Sequence, residues 1–139
     1  VSLGAGLGVG GGWTVEVQGT VARYRTGTVM TLQPGAAVTA AEGRLRLSAR
    51  LIQVRDEQDR SRSGFGLGGV WTVHDRVRLF AGYADAPETA EGVTVKVQAT
   101  SLGMEVDLSD RLLARANVVR EDRGAYARSE VGFGLGVRF

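Results

Sequence analysis

The chain has 139 residues, among them 21 glycines, two prolines and no cysteine, with 23% charged residues and a formal charge of +2. That length suits one domain, and the absence of cysteine excludes disulfides and thiolate metal sites. The small charge excess, with no basic run interleaved with aromatics, is no footprint for nucleic acid, and no stretch approaches the ~20 apolar residues of a membrane-spanning helix.

Taken from the N-terminus, apolar residues recur at every second position. The first segment places Leu3, Ala5, Leu7 and Val9 on one side, and the next places Trp13, Val15, Val17 and Val21 there. The pattern continues through Leu45–Leu47–Ala49–Leu51, Phe65–Leu67, Trp71–Val73, Val77–Leu79–Ala81–Tyr83, Leu102–Met104–Val106–Leu108 and Leu112–Ala114–Ala116–Val118. It closes on Val131, Phe133, Leu135, Val137 and Phe139. Period two over this many segments predicts strands. "SDRLLARANVVRED" and "RLRLSARLIQ" also fit a helical stripe, but only strands keep their neighbours in register.

Nine strands are predicted, starting near Ser2, Trp13, Val29, Arg44, Gly64, Val77, Val93, Leu112 and Ala127. Three-residue hairpin loops pair Val9 with Trp13, Val73 with Val77 and Leu108 with Leu112. Glu42–Gly43 reads as a two-residue turn that sets Ala40 against Leu45, and Pro34 predicts a bulge or a departure from the sheet. Tight turns then alternate with longer polar loops: one near residues 25–28, then "RDEQDRSRS", "DAPETAEG" and "EDRGAYA". The fold class is all-β, an antiparallel up-and-down meander forming a transmembrane β-barrel of about eight to ten strands.

The opposite face is glycine and charge. Inside a narrow barrel, glycines such as Gly4, Gly6, Gly66, Gly68 and Gly134 make room for long side chains. The inward charges expected to form a lumen network are Glu16, Arg46, Arg50, Arg78, Glu105, Asp107, Arg115, Glu130 and Arg138, with Glu105 directly opposite Arg115. They serve either as a salt-bridged filling that fixes register, as expected for about eight strands, or as a charge-lined constriction if the barrel is larger. On the outward face Trp13, Trp71 and Phe139 mark one edge, and Phe65 and Tyr83 the other, the positions of aromatic girdles.

No catalytic, cofactor-binding or metal-binding set is found. "GAGLGVGGG" lacks the helix a dinucleotide fingerprint needs. The lone histidine, His74, reads as a turn residue, and Asp75 and Asp110 as turn stabilisers. The acidic loops lack calcium-loop spacing.

The ending, Phe133–Leu135–Val137–Phe139, resembles the assembly signal of bacterial outer-membrane barrels. It implies a C-terminus and tight turns in the periplasm, with the long loops outside. "LFAGYADAPETAEG" and the stretch from Ser101 to Phe139 are similar to the C-terminal half of the YaiO-type outer-membrane barrel family. That resemblance implies the outer membrane of a Gram-negative bacterium, the lipid bilayer and the outer-membrane assembly machinery as partners, and a non-enzymatic anchor or export channel. It also implies an association with exopolysaccharide secretion, with polysaccharide as a partner; further copies of the chain are a partner that the strand count allows.

Nine strands conflict with the even count of bacterial single-chain barrels. The expected resolution is a C-terminal portion of a larger barrel lacking N-terminal strands, in keeping with a start at Val1 and no visible signal peptide. The alternatives are a segment before Trp13 that is not a membrane strand, and assembly of copies. A soluble barrel or sandwich binding an apolar ligand, and a surface receptor or adhesin acting through its loops, are the competing functions.

Overall fold

The computed structural model describes residues 1–25, 27–90 and 93–138. Nine strands follow one another: β1 (Ser2–Gly10), β2 (Trp13–Arg23), β3 (Thr28–Ala40), β4 (Leu45–Arg55), β5 (Ser61–His74), β6 (Val77–Ala90), β7 (Val93–Asp107), β8 (Leu112–Asp122) and β9 (Ala127–Val137). They form a single antiparallel sheet in chain order, an up-and-down meander. Both segments with a helical stripe are strands, β4 and β8, because each lies between two partners that use its period-two face. Among the described residues β1 pairs only with β2 and β9 only with β8, so the sheet is not closed.

Register follows the alternation closely. Val38 faces Leu47, Ala40 faces Leu45, Trp71 faces Leu79 and Met104 faces Ala116, as the sequence predicts. Two turns differ by one residue: Gly10 pairs with Trp13 and His74 with Val77, each beside a register shift. These bulges absorb the odd residue of a three-residue loop. The β3–β4 connection spans Ala41 to Arg44, with Arg44 N–H donating to Ala41 C=O at 3.0 Å, and places Ala41, Glu42 and Gly43 at φ 51°, 54° and 89°.

Pro34 produces neither a bulge nor a departure. β3 runs through it, Val17 faces it from β2, and the β4 register is unchanged from Leu32–Gln53 to Gly35–Arg50. A proline removes one donor, and a strand tolerates that locally when the flanking ladder holds.

The long polar loops are a second correction. The residues after Asp85 continue as strand, with β6 and β7 paired from Asp85–Gln98 to Ala90–Val93. The β4–β5 loop contracts to residues 56–60 and the β8–β9 loop to 123–126. Polar residues there extend the hairpins as paired ribbon, so the two ends of the sheet differ in strand extension and polarity more than in loop length.

The two faces have opposite exposure. Among the described residues the buried apolar side chains are Val29, Ala37 and Val54, and the buried polar ones are Asp56 and Glu105. Val29, Ala37, Val54 and Glu105 sit on the face that carries the glycines and charges, and Asp56 lies in the β4–β5 loop. Leu3, Val15, Leu47, Leu67, Trp71, Met104 and Phe133 all stand exposed on the other face. The sheet therefore curls with its polar face concave and its apolar face outward, the reverse of a domain built on an apolar core.

Candidate functional site

The concave face is organised in rows across the strands. One row runs Thr72, Arg78, Glu105, Arg115, Gly134 from β5 to β9, so alternation and register place a carboxylate between two guanidiniums. Arg78 and Arg115 both pair with Glu105, whose side chain is only 5% exposed, and Arg115 Nε donates to Glu105 Oε2 at 3.1 Å. One step toward the tight turns, Asp107 accepts from Arg138 Nη2 at 2.8 Å and lies 3.9 Å from Arg78. Five of the expected lumen charges are thus one network. Its arginines outnumber its carboxylates by one; Glu105 engages two guanidiniums, and Asp107 accepts from one with a second 3.9 Å away.

Glu16 and Arg46 form a separate pair. Arg46 Nη2 donates to Glu16 Oε1 at 2.7 Å, from β4 to β2, reaching past β3. Glu130 pairs with Arg128 at 2.5 Å, away from the main network. Arg50 joins none of these: among the described residues no acidic partner is recorded for it. It lies between Gly35 and Gly66 on the neighbouring strands, and a Cβ on Gly66 would stand 3.1 Å from its Nε. Beside it the concave face holds a trough of about 650 Å³, whose lining includes Gly4, Gly6, Gln18, Gln33, Ser48 and Gly68.

Three features escape sequence reading. Phe80 lies on the concave face, with the Arg115 guanidinium 6.0 Å from its ring centroid, because β6 alternation places it between Arg78 and Gly82. Arg123 bridges Glu88 at 2.9 Å and Glu121 at 3.2 Å, joining the distal end of β6 to β8. The Glu121 hydrogen bond, then the Glu88 charge, hold its pKa above the ordinary arginine value. On the outward face, Asp85 receives Lys96 at 3.0 Å and Gln98 at 3.2 Å.

That last cluster lies beyond an aromatic contact. Phe65 and Tyr83 meet on the outward face, ring centroids 5.8 Å apart, and Asp85 faces Phe65 across the β5–β6 ladder. At the other end of the apolar band Trp13 opens β2, and Trp71 faces Leu79 three residues before β5 ends; both are about half exposed. From Val73 to Phe65 the band spans about 25 Å along β5, at ~3.3 Å per residue. Phe133, Leu135 and Val137 project outward from the edge strand β9, with Phe133 84% exposed. Phe139 lies outside the described residues.

The turns use different groups from those expected. His74 Nδ1 accepts from Arg76 N–H at 3.4 Å, and Ser109 Oγ accepts from Arg111 and Leu112 N–H at 3.3 and 3.1 Å. Asp75 instead lies 3.6 Å from Arg44 on the preceding turn. The residue that opens each turn is the one whose side chain can fold back on it, which explains the shift from Asp75 and Asp110. In the β4–β5 loop Asp56 Oδ1 accepts from Gln58 and Arg60 N–H, both at 2.9 Å, and Asp59 accepts from Arg55. Those carboxylates are committed to loop closure. Among the described residues no group of three or more His, Asp or Glu is placed to hold a metal ion.

Fold and site together define an all-β meander with a charge-bearing concave face and an exposed apolar convex face. No protein-family model, curated protein or solved structure matches the chain.

Proposed function

We propose that this chain is the wall of a transmembrane β-barrel of the bacterial outer membrane, a non-enzymatic anchor or export channel with the polar face toward the lumen. The carrying observation is the inversion of its faces: large apolar side chains stand exposed on one face of β1 to β5 and of β7 to β9, while the buried residues of the strands belong to the polar face. In water, so much contiguous apolar surface drives association; in a bilayer it is the required surface. Aromatic residues at both edges of the apolar band, and strands of 9 to 15 residues, fit that setting. The YaiO-type resemblance adds exopolysaccharide export as the process served.

Strand parity bears on closure. β1 and β9 are both odd-numbered, so they run in the same direction. Direct closure, or a ring of identical copies, would set β9 against β1 in parallel. An antiparallel wall needs an odd number of further strands between them, which supports the larger-barrel reading over self-assembly.

The test is gel mobility of the protein folded in detergent, unheated against boiled. A faster unheated band and dependence on detergent support the proposal. A chain that stays soluble without detergent and shows no shift refutes it in favour of a soluble barrel.

A further inference from the structure

We propose that the trough beside Arg50 binds a carboxylate carried on a hydroxyl-rich solute, with Arg50 as the anchoring cation; this rests on the polar face lining a lumen, as proposed above. The concave face is not electrostatically uniform. On the β6–β9 side Arg78, Arg115, Arg138, Arg123 and Arg128 are all engaged by carboxylates. On the β1–β5 side Arg46 is engaged by Glu16. Arg50 is left with its guanidinium donors uncommitted to any acid among the described residues.

Its surroundings favour a solute over a salt bridge. Its row neighbours are Gly35 and Gly66, followed by Ala84 on one side and by Glu16 on the other, so the two adjoining strands carry no side chain over it. Glu16 also lines the trough, but its carboxylate is engaged by Arg46 at 2.7 Å. The trough of about 650 Å³ lies within the size range of small-molecule sites. Gln18, Gln33 and Ser48 line the same space and supply neutral donors and acceptors. A planar guanidinium matches a carboxylate through two parallel hydrogen bonds, and the amides and hydroxyl suit the solute's hydroxyl groups. A cation without an acidic partner on a lumen wall attracts an anion more strongly than it would in bulk water.

Arg62 provides an internal control. It also has no acidic partner among the described residues, yet it faces Val54 beyond the trough and does not line it. The experiment is calorimetric titration of the detergent-folded protein with D-glucuronate and, separately, D-glucose. Wild type binds glucuronate in clear preference to glucose; R50Q weakens glucuronate at least about tenfold, while R62Q stays within about twofold. Equal losses in R50Q and R62Q, equal binding of the two sugars, or no glucuronate binding by folded wild type each overturn the site. The unheated gel shift, run on the same samples, reports separately on the barrel itself.

Discussion

Arg46 and Glu16 form a 2.7 Å ion pair from strands that do not touch. β3 lies between them, so the pair exists only because the sheet curls toward its polar face and long side chains can reach over small ones. Both side chains are about half exposed, 45% and 52%, so the pair is worth about 0.2–1 kcal/mol rather than the larger sum of a desolvated bridge. A double-mutant cycle with E16Q and R46Q, read by denaturant unfolding in micelles, should return a coupling of that size and lose most of it in high salt.

Glu105 should matter more. Its side chain is 5% exposed and serves both Arg78 and Arg115, so replacing it removes two charge-assisted contacts at once. We expect E105Q to cost about 1.5–3 kcal/mol of stability. R115M should cost less, because Glu105 retains Arg78. A reversed order of the two variants would show that the network does not pivot on Glu105.

Leu67 sits in the middle of the apolar band and is about half exposed. Substituting L67R should destabilise the folded protein by about 2–4 kcal/mol in lipid bilayers. A change within ±0.5 kcal/mol would mean that this face does not meet hydrocarbon.

Glycine positions separate sharply by geometry. A Cβ on Gly12 would collide with the Thr39 carbonyl oxygen, and the residue holds φ +78°, whereas nothing lies within 4 Å of a Cβ on Gly8. G12A should therefore lose about 1–3 kcal/mol and G8A should be near neutral, measured by the unfolding midpoint of the unheated band.

The β3–β4 turn holds Glu42 at φ 54° before Gly43 at φ 89°, the left-handed pair of a type I′ turn. E42N should raise stability by about 0.5–1 kcal/mol, since asparagine tolerates that region better than glutamate. A fall in the unfolding midpoint would argue that Glu42 makes a compensating contact.

The alternation of apolar residues with glycine and charge was sufficient to read nine strands, their chain-order pairing and the side each residue takes. Even the Glu105–Arg115 pairing was legible, because a short loop between strands of period two leaves one register that keeps like faces together. Other features were not. Continuation of "DAPETA" as paired strand was hidden because its composition is that of a loop, and pairing with the residues before Gln98 supplies the hydrogen bonds that composition cannot predict. The bulges at Gly10 and His74 depend on how each loop meets the twist of its strands. Arg138 on Asp107, Arg46 on Glu16, Phe80 under Arg115 and the solitary position of Arg50 belong to the curl of the whole sheet. Periodicity determines a residue's face and its adjacent partner, because those are local properties of the pleat and the turn. Which side chains meet across an intervening strand is decided by curvature, which arises only when all nine strands twist together.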